Sequence, residues 1–218
     1  MPTLVAFGDS ITLGVRQDGS CREEQTFRYQ LQKRLNAELG QAGPWVIENA
    51  GIGGNTTRDA LGRIDKDVLD KKPHYATIMF GVNDSAMVSF PDFQPIPEPR
   101  VPLCEFRRNL EEIVRRIQAI RAKVVLLTPP PMSARHWLAN TSPSYKGRDM
   151  NWMFRTYIPS IHEVAEVCRV PLLDVWTRYM DGGHLNDWLP DGVHPNEEGH
   201  RAIADMLFDH LQTTMVDG

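Results

Sequence analysis

The chain has 218 residues, 41% of them apolar and 24% charged, with a formal net charge of −4. This size and balance argue against wholesale disorder and against the basic field of a dedicated nucleic-acid binder, and they fit one domain better than two. The three cysteines, Cys21, Cys104 and Cys168, are odd in number and widely spaced, which argues against a disulfide framework, and no apolar run approaches the ~20 residues that span a bilayer. The first residues lack the charged and long apolar regions of a signal peptide, so the expected compartment is the cytoplasm.

In chain order, residues 4–7 are apolar and closed by Gly8, which predicts a buried strand. Phe27, Leu31, Leu35 and Leu39 recur every four residues and predict a helix over 27–39. A second strand is expected at 45–50. Residues 56–69 open with Thr56-Thr57-Arg58-Asp59, a capping signature, and carry Leu61, Ile64, Val68 and Leu69 as one helix. A third strand falls at 75–80, and a helix at 103–120 presents Phe106, Leu110, Ile113, Val114 and Ile117 on one face. A fourth strand at 124–127 stops at Pro129-Pro130-Pro131. Residues 150–167 have helical period, though Pro159 should kink or break them. A short strand at 171–175 and a helix at 196–211 complete the series.

Strands alternating with helices imply right-handed crossovers and a parallel sheet covered on both faces. The expected fold is therefore α/β, a single three-layer α/β/α domain over 1–218 with a five-stranded parallel sheet. Two long connections interrupt the rhythm: 82–102, which holds five prolines, and 129–149, rich in Pro, Ser and Asn. Loops of this length in a compact domain are usually binding or lid loops, and in an open α/β sheet they follow the carboxyl ends of strands, where ligands bind.

Four short segments at strand ends or helix starts hold the side chains with chemistry to offer. In Gly8-Asp9-Ser10-Ile11-Thr12, Ser10 follows the first strand, where an opening helix aims free backbone N–H groups into a crevice. A serine there suits attack on a carbonyl, although Asp9 or Ser10 also serves at such a turn as a plain helix N-cap. The glycine-rich run from Asn49 to Thr57 fails the dinucleotide pattern, because Thr56 stands where the last glycine belongs, and it has no P-loop lysine. What remains is either a backbone donor at Gly54 or a simple tight turn. Asn83, in Gly81-Val82-Asn83-Asp84, offers a side-chain donor to an oxyanion or merely ends the strand. In Asp191-Gly192-Val193-His194-Pro195 the spacing lets Asp191 accept from His194 Nδ1–H, which fixes the tautomer and leaves Nε2 as a base. A surface loop with a chance histidine is the bland alternative there.

His184 and Asp187 lie close in sequence to Asp191 and His194, a group of metal-ligand types without a metal-binding spacing. Trp137, Tyr145 and Trp188 fall in or beside the long loops as candidate pocket walls, with Trp188 the candidate substrate contact. Trp152 and Cys104 read as packing residues, and His200 and His210, on the final helix, as surface or core residues.

Taken together, Gly8-Asp9-Ser10, Gly54, Gly81-Val82-Asn83-Asp84 and Asp191-Gly192-Val193-His194-Pro195 resemble, in order and spacing, the four blocks of the SGNH (GDSL) hydrolase family. The leucine that follows the serine in the family's name is Ile11 here. The resemblance implies a flavodoxin-like sheet and acyl-ester hydrolysis through an acyl-enzyme, with no cofactor and no metal. It implies Ser10 as nucleophile, His194 as general base and Asp191 as the residue that orients it. The implied oxyanion hole is the backbone N–H groups of Ser10 and Gly54 with the side chain of Asn83. Asn83-Asp84-Ser85, Val101-Pro102-Leu103 and Leu127-Thr128-Pro129 resemble the isoamyl-acetate-hydrolysing esterases, whereas Gly54-Asn55-Thr56-Thr57-Arg58-Asp59 resembles the bacterial carbohydrate and xylan acetylesterases. Both imply a short acyl group, acetyl first, and they disagree about the alcohol. The alternatives are a lysophospholipase or thioesterase-type acyl hydrolase of the same family and a non-catalytic α/β binding module. The expected partner is a small-molecule ester, with no nucleic acid and no membrane, and a homo-oligomer is left open.

Overall fold

The computed structural model describes residues 1–39 and 43–216. At its centre is β1 (Thr3–Gly8), whose residues Leu4 to Phe7 are almost fully buried because both faces of the strand are covered. β1 pairs in parallel with β2 (Val46–Gly51) on one side and β3 (Tyr75–Met79) on the other. Beyond β3 the sheet continues through β4 (Lys123–Leu127) to a two-residue β5 (Leu172–Leu173). The order β2-β1-β3-β4-β5, all parallel, is the expected flavodoxin-like arrangement.

The helices are α1 (Ser10–Leu13), α2 (Phe27–Glu38), α3 (Thr57–Ile64), α4 (Leu103–Ala119), α5 (Leu138–Thr141), α6 (Ile158–Cys168), α7 (Val175–Asp181), α8 (Leu185–Trp188) and α9 (Glu197–Val216). α2 packs on α9, while α3, α4 and α6 pack in succession, so that helices cover both sides of the sheet. α2 starts where Thr26 Oγ1 accepts from Tyr29 N–H at 3.2 Å, and it turns Phe27, Leu31 and Leu35 into the core. α3 opens with a capping box: Thr56 Oγ1 accepts from Asp59 N–H at 3.3 Å, and Asp59 Oδ2 accepts from Thr56 N–H at 2.9 Å. Past Ile64 the helix widens into a π turn over Asp65–Leu69, so the run 56–69 is one continuous element of two pitches.

The departures from the sequence expectation have local causes. Residues 150–167 are not one helix, because a 3₁₀ turn at Phe154–Thr156 precedes α6. Pro159 lies in the first turn of α6, where a missing N–H costs no helical hydrogen bond, so it starts the helix instead of breaking it. The fifth strand is shorter than 171–175, because Asp174 accepts from Thr177 N–H at 3.1 Å and caps α7, which already includes Val175. α7 and α8 are too short to be read from apolar period. Cys104 is exposed instead of packed, since it lies off the face of α4 that carries Phe106 and Leu110. Among the described residues no helix is long and apolar enough to cross a membrane.

Candidate active site

The chain leaves β1 for β2 on one side and returns to β3 on the other, so a crevice opens at the carboxyl ends of β1 and β3. Ser10 lies two residues past the end of β1, and Asn83 follows β3 within a few residues. A four-residue helix is too short to be stable alone, and α1 is held at both ends. At its start Asp9 Oδ1 accepts from Ile11 N–H at 2.9 Å. At its end the buried Arg28 donates to the carbonyls of Thr12 at 2.8 Å and Leu13 at 3.1 Å, and it pairs with Glu23 at 2.6 Å. Arg63 reaches from α3 to donate to Gly8 O at 2.8 Å and Ala50 O at 2.9 Å, which ties together the ends of β1 and β2. The sequence carried no signal for either arginine, because each acts through a carbonyl distant in the chain.

Asp191, His194 and Ser10 form a hydrogen-bonded relay. Asp191 Oδ1 accepts from the backbone N–H groups of Val193 at 2.9 Å and His194 at 2.7 Å, and its Oδ2 lies 2.7 Å from His194 Nδ1. A carboxylate only accepts, so Nδ1 carries the hydrogen and Nε2 is left to accept from Ser10 Oγ, 3.0 Å away. Partial burial raises the Asp191 carboxyl, but the hydrogen bond and charge of His194 and the backbone donors outweigh it and bring it down to about 2. Gly192 between them has φ +91°, and a Cβ there would overlap the backbone of His136. Ser133 N–H donates to Gly192 O at 2.8 Å. The loop after β4 is thereby seated on the Asp191–His194 turn.

Gly54 and Asn83 border the same hollow. Gly54 has φ +76°, and a Cβ on it would overlap the ring of Phe90. The N–H groups of Ser10 and Gly54 have no acceptor among the described residues. Asn83 Nδ2 donates to Asp9 Oδ2 at 3.1 Å, and Asn83 Oδ1 accepts from Arg100 Nη1 at 3.5 Å. Burial pushes the Asp9 carboxyl up to about 6, against the lowering effects of Ile11 N–H, His194 and Asn83. Next to Asn83, Asp84 is fully buried; its Oδ1 accepts from Thr57 N–H at 2.8 Å, and its Oδ2 has no partner among the described residues. Burial raises it to about 7.

The hollow is a cavity of about 480 Å³ bordered by Asp9, Ser10, Gly54, Asn83, Asp191 and His194. Both long loops wall it, 82–102 with Val88, Phe90 and Phe93 and 129–149 with Met132, Trp137 and Tyr145. Phe93 bridges them, meeting Phe90 at 5.6 Å and Trp137 at 5.3 Å, edge to face. Trp137 and Tyr145 line the cavity as expected, whereas Trp188 does not. Trp188 is buried edge-on against Tyr179 at 5.0 Å and stacked with His184 at 5.2 Å, because α8 turns it toward α7 and α9. Phe90 and Phe93 take the place the sequence reading offered to Trp188, and their signal was legible: two large apolar residues in a proline-rich loop. The group His184, Asp187, Asp191 and His194 also divides. Side chains of the first two are 58% and 72% exposed, while those of the last two are 20% and 19% exposed and turn toward Ser10. His200 is buried against Phe27, and burial pushes its ring down to about 3.

Residues 6–202 match the family model described as GDSL-like Lipase/Acylhydrolase family. An uncharacterized lipoprotein of Bacillus subtilis, YqeF, is 32% identical across 94% of this chain and 88% of its own length. A human protein named isoamyl acetate-hydrolyzing esterase 1 homolog is 30% identical across 96% of this chain and 79% of its own. Among solved structures, the lipase/acylhydrolase from Enterococcus faecalis is similar with a TM-score of 0.77 at 25% identity, over 98% of this chain and 97% of that one.

Proposed function

This chain belongs to the GDSL-like lipase/acylhydrolase family and is a carboxylic-ester hydrolase; from that premise we propose that it cleaves short-chain acyl esters, acetyl esters foremost, of a small alcohol or a carbohydrate. The observation that carries the reading is the relay from Asp191 through His194 to Ser10 at the border of one cavity. Ser10 Oγ attacks the ester carbonyl while its proton passes to His194 Nε2. Asp191 keeps the ring oriented and stabilises the imidazolium that forms. The developing oxyanion accepts from Ser10 N–H, Gly54 N–H and Asn83 Nδ2–H. The alcohol leaves with the proton held by His194. Water then gives a proton to the same nitrogen as it attacks the acyl-enzyme, and the carboxylic acid departs from a restored Ser10. Every step uses side chains and backbone of this chain.

The acetyl preference is supported by the similarity to the human isoamyl acetate-hydrolyzing esterase 1 homolog. The apolar cavity of about 480 Å³ is far larger than an acetyl group and favours a second reading, an ester with a longer acyl chain. A groove of about 530 Å³ beyond His194 carries Arg16, Arg22, Gln25 and Glu197, side chains able to hydrogen-bond a hydroxylated alcohol. The test is turnover of p-nitrophenyl acetate, butyrate and octanoate, then of acetylated sugars, by wild type and Ser10→Ala. Acetate should be cleaved best, and Ser10→Ala should lose roughly 10³-fold or more in kcat. A preference for octanoate would replace the short-acyl reading with the longer one. Wild-type turnover by Ser10→Ala would sink the nucleophile assignment.

A further inference from the structure

Two buried carboxylates, Asp9 and Asp84, lie outside the relay, and Asp9 is the one that bonds the Asn83 side-chain amide. Asp9 is 1% exposed, and its two oxygens serve different partners. Oδ1 accepts from Ile11 N–H at 2.9 Å and caps α1, whereas Oδ2 accepts from Asn83 Nδ2–H at 3.1 Å. Capping needs a single oxygen, and Ser, Thr or Asn supplies it about as well as Asp. The second oxygen is surplus to the cap.

The chemistry around Asn83 gives that oxygen a use. A carboxylate only accepts and a guanidinium only donates. Asp9 therefore claims the NH₂ end of the Asn83 amide, and Arg100, whose Nη1 is 3.5 Å from Oδ1, claims the carbonyl end. Both constraints select the same orientation of the amide. The second Nδ2 hydrogen finds no acceptor among the described residues and is left for the cavity that Asn83 lines.

We propose that Asp9 is a positioning residue that holds the Asn83 amide with this second N–H directed at the forming oxyanion, while its other oxygen caps the helix that begins with Ser10. The inference rests on the reading of Asn83 as an oxyanion donor. A donor already held in place need not reorganise as charge develops, and that saving is realised in the transition state, not in substrate binding. One carboxylate thus couples two of the three donors, Ser10 N–H through the helix and Asn83 Nδ2 directly.

Asp9→Ser separates the two tasks, since serine keeps the cap and is too short to reach Asn83. Steady-state kinetics on p-nitrophenyl acetate would compare wild type, Asp9→Ser, Asn83→Ala and the double variant, with thermal melting of each. Asn83→Ala should lose roughly 10²–10³ in kcat. Asp9→Ser should melt near wild type and lose about tenfold or more in kcat, with KM within about threefold, because only transition-state stabilisation is affected. In the Asn83→Ala background it should change kcat by less than about threefold, since the two act as a unit. If Asp9→Ser destabilises the protein, Asp9→Asn enters the same cycle; it keeps the cap carbonyl and sets an NH₂ group against the Asn83 NH₂. Wild-type kcat in a folded Asp9 variant overturns the inference and leaves Asp9 a cap. So does a full additional loss in the Asn83→Ala background. Wild-type turnover by Asn83→Ala itself removes Asn83 from the oxyanion hole and takes the inference with it.

Discussion

Around Ser10, two buried carboxylates work against the stability of the fold at neutral pH. Burial raises Asp9 to about 6 and Asp84 to about 7, from a starting value of 3.8. A carboxyl raised on folding binds its proton more tightly in the folded chain, so stability falls as pH rises from about 4 through 7. Asp84→Asn removes one of these titrations. Calorimetric melting at pH 5 and pH 8 should show a larger drop in Tm for wild type than for Asp84→Asn, and equal drops would mean that Asp84 does not titrate in that window. Asp191 has the opposite sign: held at about 2, it contributes stability that is present above about 4 and lost as pH falls toward 2. Asp9, which works against the fold, and Asp191, which works for it, line the same cavity, and perturbed carboxyls of this kind cluster at functional sites.

Among the elements, one contact with no room for change is between the loop at 129–149 and the Asp191–His194 turn. Gly192 is left-handed at φ +91°, and the backbone of His136 fills the space a side chain would need. Gly192→Ala should cost about 1–3 kcal/mol in denaturant unfolding, from backbone strain and overpacking together, and should lower kcat by displacing His194. Gly147, in the same loop at φ +75°, has open space beside it and is the control, since Gly147→Ala carries the strain without the overlap. If both variants unfold and turn over alike, the loop does not brace the turn. Apolar period read the helices at 27–39 and 103–120 within a residue, because burial of one face set both pattern and length. It misjudged 150–167 and 171–175, where Pro159 and Asp174 start helices through hydrogen-bonding roles that period does not register.

Across the molecule, neighbouring helices of one layer are joined by large buried side chains. Phe106 on α4 meets Tyr157 edge to face at 5.1 Å, and Tyr157 Oη donates to Val101 O at 2.7 Å, just before α4 begins. Phe106→Ala should destabilise the protein by about 3–5 kcal/mol in denaturant unfolding, through lost burial and the cavity left behind. Phe106 does not line the cavity that holds Ser10, so KM of the folded fraction should stay at the wild-type value. A loss under about 1 kcal/mol would mean that the helix layer closes over the gap.

Each local motif offered Ser10, Gly54, Asn83, Asp191 or His194 only as one of two readings, and it was the resemblance of the four blocks together to the SGNH family that singled them out as a set. Composition and spacing were enough for the alternation of strands and helices, which depends on neighbours a few residues away. Folding supplied the pairing of Ser10 with His194 across 184 positions, the choice of Phe90 and Phe93 over Trp188 as cavity wall, and the anchoring of α1 by Arg28. It also gave Asp9 its second partner, Asn83, from 74 positions away. A side chain's type and local period are properties of the chain near it. Its direction, and the distant groups it meets, depend on which elements the sheet brings against it.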